Sequence, residues 1–364
     1  MRRGTKIQKL KQVLPGIVKD VRHYAKPRVK LHNEGLGDYY TEGYRSLNQR
    51  EWKGVRDTAY DFASWLKVYG YMAVTLGKHP VALTKSFVRY PWMASYLTVA
   101  NMLDRHKLGL RGKQLRYTQE QFYGVVHNSV DVIAKIIERD ENLNSPNNKR
   151  AAKLRAKTVM FDEMTPSIIM AGFPMLDWID IAMSPVCLPG EVDQNANIMY
   201  VDAAERMGLA ADVCPLPSAE VGCAIVDDYP QVGSSFITSS MPCDGSLGAA
   251  LFMDRYMKKL PSFTLTPPQR FNEPETNAYA VKDLKNCIRF IEETYNVKWD
   301  WDAFWKKAEE YNKTTQCMLD KWDVNCTPYP QVIGSALSLQ REYEFQTAAC
   351  LDPFMTKQTF VVRL

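Results

Sequence analysis

Short apolar runs rich in β-branched and aromatic residues alternate with helical patterns in the middle of this chain, and this alternation constrains the fold more than any other feature. The predicted strands cover 158–161, 235–238 and 262–265. The predicted helices around them cover 149–157, 167–172, 197–207, 218–227 and 246–259. Strands that alternate with helices indicate a parallel sheet with helices on both faces. We therefore predict an α/β fold built on a three-layer parallel-sheet lobe of the Rossmann or flavodoxin type.

Helical segments flank this lobe and divide the chain into three predicted units. Residues 1–148 comprise a basic arm followed by a helical segment, and Ser145-Pro146-Asn147-Asn148 marks a boundary by its turn chemistry. Residues 149–272 form the α/β lobe. Residues 273–364 form a second helical segment.

Individual helices within the flanking segments have identifiable ends. The dipeptide His79-Pro80 predicts a break, because a residue that precedes proline disfavours the helical conformation. The C-terminal segment has helical periodicity at 277–296 and at 302–321, and Asp302 is a predicted N-cap.

Composition excludes several classes of protein. The chain has 364 residues, of which 46% are hydrophobic and 24% are charged, as is typical of folded proteins. No apolar run follows Met1-Arg2-Arg3-Gly4, and the longest apolar stretch, 90–103, is too short to span a bilayer. We therefore expect a cytoplasmic protein with no membrane partner. The eight cysteines are then expected to be free, metal-ligating or catalytic rather than paired in disulfides.

The net charge of +5 is modest for a chain of this length, and the basic arm at 1–45 carries Tyr39, Tyr40 and Tyr44. Tyrosine is frequent in protein interfaces, so we expect the arm to bind a partner subunit rather than nucleic acid. The sequence contains no nucleotide-binding glycine loop, no Gly-x-Ser-x-Gly motif and no zinc-binding histidine pair. Its function therefore has to be inferred from other residues.

Polar residues follow two of the predicted strands. Parallel α/β sheets bind ligands beyond the carboxyl ends of their strands. Asp162, Glu163 and Thr165 follow the first predicted strand, and Ser240 follows the second. These four residues are the candidate substrate-binding residues. Thr165 is also a predicted N-cap for the helix at 167–172, because Pro166 suits a first helical turn.

Two cysteines lie where helices are predicted to begin. Cys214 precedes Pro215-Leu216-Pro217, with Ser218 as the predicted cap, and Cys243 lies shortly after the strand at 235–238. The positive end of a helix favours a thiolate, and thiolates bind iron–sulfur clusters, zinc or copper(I). The spacing of the pair leaves a second interpretation open, in which both are free cysteines buried in the core.

The remaining cysteines carry weaker indications. Cys223, Cys287 and Cys317 lie within helical periodicity and are predicted to be core residues. Cys187, Cys326 and Cys350 lie in or near predicted loops. Any of these last three could complete a metal site, and the sequence does not distinguish between them.

From about residue 157 onwards the chain resembles the 2-hydroxyacyl-CoA dehydratase family, which also includes subunits of the ATP-dependent benzoyl-CoA reductases. Three stretches carry the resemblance: 202–214, 235–243 and 284–311. The most specific is the approach to the first cysteine, in which Glu205-Arg206-Met207-Gly208 precedes Asp212-Val213-Cys214.

The resemblance implies an iron–sulfur enzyme. Family members bind a [4Fe-4S] cluster through three cysteines and keep one iron open, and Cys214 and Cys243 match the first two ligands. The third comes from a second α/β lobe, which does not occur before Leu364. We therefore expect the third ligand from a missing part of a fragment or from another chain, unless the protein has diverged from the family pattern.

The resemblance also implies a reaction and its partners. A lyase of this family eliminates water from a 2-hydroxyacyl-CoA through a ketyl radical, after ATP-driven reduction by one electron. The implied partners are the acyl-CoA substrate, a paralogous dehydratase subunit and an ATP-dependent activator iron–sulfur protein. The loop at 162–165 would approach the thioester. Many relatives carry an acidic residue just after the proline there, and this chain has Ser167.

Two alternatives remain open at this point. One is a benzoyl-CoA reductase-type subunit, an oxidoreductase that reduces an aromatic acyl-CoA. The other is a non-catalytic structural or assembly subunit that keeps the lobe without a complete site. Bound iron and sulfide would distinguish the enzyme from the assembly subunit.

Overall fold

The computed structural model describes residues 55–99, 112–162, 165–193, 195–240, 244–256, 260–268 and 273–325. The N-terminal arm, Glu163, Cys243, Cys326 and Cys350 lie outside these residues. The first helices are α1 (Val55–Leu76), α2 (Pro80–Arg89), a 3₁₀ helix (Pro91–Thr98), α3 (Gly112–Arg139) and α4 (Lys149–Arg155). The break predicted at His79-Pro80 is confirmed, because α1 ends before it and α2 begins at Pro80.

Strands and helices then alternate through the lobe. Strand β1 (Thr158–Phe161) is followed by a 3₁₀ helix (Ser167–Gly172), β2 (Asp177–Asp180), a π-helical turn (Met183–Cys187) and α5 (Leu188–Val192). The next elements are α6 (Ile198–Arg206), α7 (Pro215–Ile225), β3 (Ser235–Ser239), α8 (Asp244–Tyr256) and β4 (Ser262–Leu265). Two long helices complete the described part, α9 (Pro274–Tyr295) and α10 (Trp301–Asn325).

The sheet has four strands in the order β2-β1-β3-β4, and every neighbouring pair is parallel. Val159 of β1 pairs with Trp178 on one side and with Ser235 on the other. The α/β fold predicted from the alternation is confirmed. Strand β2 was not predicted, because its sequence Asp177-Trp178-Ile179-Asp180 begins and ends with a carboxylate. It lies at an edge of the sheet, where such residues are tolerated.

Each face of the sheet contributes to a separate hydrophobic core. Met160 and Phe236 pack on one face with residues of α3, α6, α7 and α8. Phe161 and Ile237 point to the other face and pack with residues of the second 3₁₀ helix and of α9. Because successive side chains of a strand point to opposite faces, this arrangement makes three layers.

The helices before β1 share the first core with the lobe. Trp92 is buried, and its Nε1 donates a hydrogen bond of 3.1 Å to the carbonyl oxygen of Asp228. Arg89 forms an ion pair of 3.3 Å with the Asp228 carboxylate. The division of the chain at 148 and 272 stays a prediction. None of the helices in the described ranges combines the length and apolar character needed to cross a membrane.

Three predicted helix caps are wrong, and for one of them, Asp302, a neighbouring residue takes the role. Helix α7 begins at Pro215 rather than at Ser218, whose hydroxyl donates back to the carbonyl oxygen of Cys214 at 3.0 Å. The Thr165 hydroxyl bonds Asp162 instead of a helix terminus. Helix α10 begins at Trp301, and Asp300 rather than Asp302 accepts the N–H of Ala303 at 3.0 Å.

Candidate functional site

Strands β1 and β3 end side by side, and hydrogen bonds join the residues that follow them. The backbone N–H of Asp162 donates to the carbonyl oxygen of Ile237 at 3.2 Å. The Asp162 carboxylate accepts the Thr165 hydroxyl at 2.7 Å on Oδ1 and the N–H of Ser239 at 3.1 Å on Oδ2. The structure therefore places Asp162, Thr165 and Ser239 at one edge of the sheet, as the sequence predicts, whereas Glu163 lies outside the described residues.

These side chains are buried rather than presented to a ligand. Asp162 is 7% exposed, Thr165 is 3% exposed and Ser240 is 5% exposed. The N–H of Ser240 donates to the carbonyl oxygen of Leu265 at 2.8 Å, which ties the end of β3 to the end of β4. A buried carboxylate is stabilised when donors satisfy its oxygens. These bonds fix the backbone around the sheet edge, and a direct contact of these residues with substrate stays a prediction.

Asp180 is a further carboxylate at this edge that the sequence reasoning missed. It is the last residue of β2, is 5% exposed, and accepts the N–H of Ala182 at 3.0 Å. It pairs in register with Phe161, the residue immediately before Asp162. The acidic residue after Trp178-Ile179 was a usable signal, but only once β2 had been recognised as a strand.

Cys214 lies at the N-terminus of α7 and is exposed and free. Its extended backbone, with φ −53° and ψ 131°, leads directly into Pro215. Proline is tolerated in a first helical turn because the N–H groups there lack helical partners. With Pro215 and Pro217 in this turn, Leu216 is the one residue of the first three that retains an N–H. The helix therefore presents the Cys214 thiol to solvent while offering few backbone donors beside it.

The second predicted ligand, Cys243, lies outside the described residues, but α8 begins at the next residue. Helix α8 follows the carboxyl end of β3, so it begins at that edge of the sheet. Helix α7 ends near the amino end of β3, so its own start lies at the same edge as the start of α8. The two helices pack against each other. An ideal Cβ on Gly248 of α8 would lie 3.9 Å from Leu209 in the turn that precedes α7. The start of α8 thus approaches the turn that leads to Cys214.

The buried cysteines differ from Cys214 in accessibility and chemistry. Cys223 and Cys287 have no exposed surface, which confirms that they are core residues. Burial raises the pKa of Cys223 well above its ordinary value, and the negative charge of Asp228 raises it further. Burial raises the pKa of Cys287 to about 12. Both thiols therefore stay protonated at neutral pH, and neither is a ready metal ligand.

Cys187 was predicted in or near a loop, and that prediction is wrong. It ends the π-helical turn, is buried, and precedes α5 directly. The side chain of Cys317 is not described. Within the described ranges, no group of three or more His, Cys, Asp or Glu residues is arranged to hold a metal ion.

One comparison with known proteins finds a match. The family model described as 2-hydroxyglutaryl-CoA dehydratase, D-component, matches residues 192–346. The matched segment begins at Val192, contains both Cys214 and Cys243, and continues past Asn325, the last residue of α10. Comparisons with curated proteins and with solved structures gave no significant match. The family match confirms, for residues 192–346, the resemblance to the 2-hydroxyacyl-CoA dehydratase family that the sequence predicts.

Proposed function

We propose that this chain is a subunit of a 2-hydroxyacyl-CoA dehydratase, a lyase that eliminates water from a 2-hydroxyacyl-CoA. The observation that carries the proposal is the family match across 192–346, which includes both predicted cysteine ligands. The exposed position of Cys214 at the start of α7 supports it. So does the packing of α8, which begins directly after Cys243, against α7.

The chemistry of Cys214 fits one ligand of a [4Fe-4S] cluster. Such clusters are held by cysteine thiolates, and an exposed thiol outside the core can be reached by iron. Cys243 would be the second ligand. The third would come from residues outside the described ranges or from a paralogous subunit. A cluster bound there would supply an open iron that acts as a Lewis acid on a substrate oxygen.

The buried residues of the sheet edge would act by positioning. Asp162 holds Thr165 on one oxygen and the backbone of Ser239 on the other, which fixes both ends of the surface that a thioester would approach. Glu163 would lie in the segment between Asp162 and Thr165. We assign no contact between substrate and Asp162 itself, because its oxygens are already engaged. Ser167 follows Pro166 where many relatives carry an acid, so a proton acceptor would have to come from another residue.

The mechanism that we propose is a radical elimination. An ATP-dependent activator protein donates one electron to the thioester carbonyl, and the 2-hydroxyl then leaves as water after taking up a proton. A base removes a β-proton, and the electron is returned, so that the reaction has no net redox change. The direct partners would be the acyl-CoA, the activator and a paralogous subunit.

The decisive experiment is co-expression with a paralogous subunit, followed by anaerobic purification. We expect a brown complex that contains iron and sulfide in equal amounts. Cys214→Ala and Cys243→Ala are each expected to lose most of this iron, whereas the matched control Cys223→Ala removes a buried thiol and keeps it. If the wild-type complex is colourless, or if all variants hold the same iron, the cluster assignment is wrong and an assembly subunit becomes the better interpretation.

A further inference from the structure

A groove lies between the second 3₁₀ helix, the edge strand β2 and helix α10. Its cavity volume is about 380 Å³, which falls within the usual range for small-molecule sites. The residues that line it are Met170, Ala171, Phe173, Pro174, Leu176, Trp178, Ala303, Lys306, Lys307 and Glu310. Four of them, Met170, Phe173, Leu176 and Trp178, belong to the core on the face of the sheet opposite α7 and α8, so the groove is separate from the candidate cysteine site.

Packing beside the groove fixes its walls. An ideal Cβ on Gly172 would lie 2.6 Å from the Trp299 ring, so the chain before α10 approaches the 3₁₀ helix as closely as a glycine permits. The N–H of Asp300 donates to the carbonyl oxygen of Gly172 at 2.9 Å. The Trp299 ring also packs edge-on against Phe173, with centroids 5.2 Å apart. The groove is therefore preformed by the fold, which lowers the entropy cost of binding a ligand.

The lining combines an apolar floor with an excess positive charge. Met170 and Phe173 are buried members of the core on this face, and Trp178 packs beside them. At the α10 side, the Lys307 ammonium lies 2.7 Å from a carboxylate oxygen of Glu310, so these two charges offset each other. Lys306 is exposed and adds a further positive charge. A lysine stem can lie along apolar surface while its ammonium stays in water.

We propose that this groove binds a small amphiphilic carboxylate, with an aromatic or medium-chain aliphatic body and one anionic group. The apolar floor would take the body, and Lys306 would pair with the carboxylate. The inference is independent of the proposed function, since it uses neither Cys214 nor Cys243 and concerns the other face of the sheet. The ligand would be a free acid rather than an acyl-CoA. The test distinguishes the two, because it asks whether the free acid binds on its own.

The test is a calorimetric titration of the full chain with octanoate, with octanamide as the uncharged analogue. We expect saturable binding of one octanoate and weaker binding of the amide. Lys306→Glu is expected to lower the affinity about fivefold, the upper range for one exposed ion pair. The matched control Lys313→Glu makes the same change in charge on an exposed residue of α10 outside the groove, and is expected to keep most of the affinity.

A second variant tests the cavity itself. Ala303→Trp is expected to fill the groove and to reduce octanoate affinity at least tenfold, with the thermal unfolding midpoint measured alongside to verify folding. Cys214→Ala is expected to bind octanoate as the wild type does, even if the dehydratase proposal fails. The inference is overturned if octanoate does not bind, or if octanamide binds as tightly. It is also overturned if Lys306→Glu and Lys313→Glu have equal effects, or if an acyl-CoA binds while the free acid does not.

Discussion

The Asp162 carboxylate joins two parts of the chain that are far apart in sequence, because it accepts the N–H of Ser239 at 3.1 Å across the ends of β1 and β3. Its other oxygen accepts the Thr165 hydroxyl at 2.7 Å. The same hydroxyl oxygen lies 3.2 Å from the carbonyl oxygen of Ile237. The edge where the substrate is proposed to bind is therefore held by a buried polar network rather than by apolar packing alone.

Removing the hydroxyl of this network tests its contribution to stability. Thr165→Val keeps the shape of the side chain but removes the buried hydrogen bond from its hydroxyl to the Asp162 carboxylate, so we expect the free energy of unfolding to fall by about 1–3 kcal/mol. The matched control is Thr84→Val, which removes an exposed hydroxyl that donates to the Pro80 carbonyl oxygen. For Thr84→Val we expect the free energy of unfolding to fall by at most about 0.5 kcal/mol. Urea unfolding monitored by circular dichroism measures both. Equal losses in the free energy of unfolding would show that the buried hydrogen bond stabilises the fold no more than the exposed one.

Close packing of α6 on α7 gives a second prediction. An ideal Cβ on Gly222 would lie 1.7 Å from the backbone oxygen of Tyr200, so Gly222→Ala forces the two helices apart. We expect a loss of about 3 kcal/mol or more, because overpacking against backbone cannot be relieved by a side-chain rotation. Gly70 lies in helix α1 with nothing within 4 Å of an added Cβ. Gly70→Ala is therefore expected to be neutral or to stabilise by up to about 1 kcal/mol. Thermal unfolding of both variants checks the contrast, and a mild effect at Gly222 would contradict the observed packing.

The two central strands could be predicted because they are covered on both faces, and the partly exposed edge strand β4 was predicted as well. Every residue of β1 and β3 is buried, so the sequence reads as a continuous run suited to a central strand. Strand β2 could not be recognised in this way, because it begins with a carboxylate, Asp177, that a distant partner satisfies. Asp177 pairs with Arg139 of α3, whose Nη2 lies 2.5 Å away. That partner comes from an element whose position the sequence does not reveal.

The candidate site could be predicted only in part for the same reason. The position of Cys214 at a helix start follows from the local sequence, since prolines are suited to a first turn. The burial of Asp162 depends on Ser239, which lies 77 residues away. Local patterns placed the carboxylate at the correct edge of the sheet but could not show that its oxygens are already occupied.

A buried acid near the N-terminal helices gives a pH-dependent prediction. Burial raises the pKa of Asp140, whereas its hydrogen bond from Tyr90 lowers it. A raised pKa in the folded state means that stability is greatest when the acid is protonated and falls as pH rises through the folded-state pKa. Tyr90→Phe removes a donor to the charged form and raises the pKa of Asp140 further.

The cost of Tyr90→Phe should therefore grow with pH. At a pH near the ordinary pKa of an aspartate we expect a small loss. At pH 7 we expect about 1.5–3 kcal/mol, the range for a hydrogen bond to a charged group. Denaturant unfolding of both proteins over this pH range measures the difference. A matched control is Tyr69→Phe, since the Tyr69 hydroxyl donates to the neutral carbonyl oxygen of Leu97 in an exposed position. If the two substitutions have the same pH dependence, Asp140 is not the group responsible.

Thiol accessibility separates the proposed ligand Cys214 from the core cysteines without any need for iron. Cys214 is exposed, whereas Cys223 and Cys287 are fully buried and their pKa values are raised by burial. Because alkylation requires an accessible thiolate, iodoacetamide is expected to modify Cys214 in the native protein and to reach the other two only after unfolding. Peptide mass spectrometry over time measures each site, and we expect a rate for Cys214 at least about 100-fold higher than for Cys223. Cys214→Ala, with the same treatment, is expected to leave the slow labelling of Cys223 and Cys287 unchanged. Comparable rates at all three positions would mean that α7 does not present Cys214 to solvent, and the proposed role of this residue as a ligand would lose its structural basis.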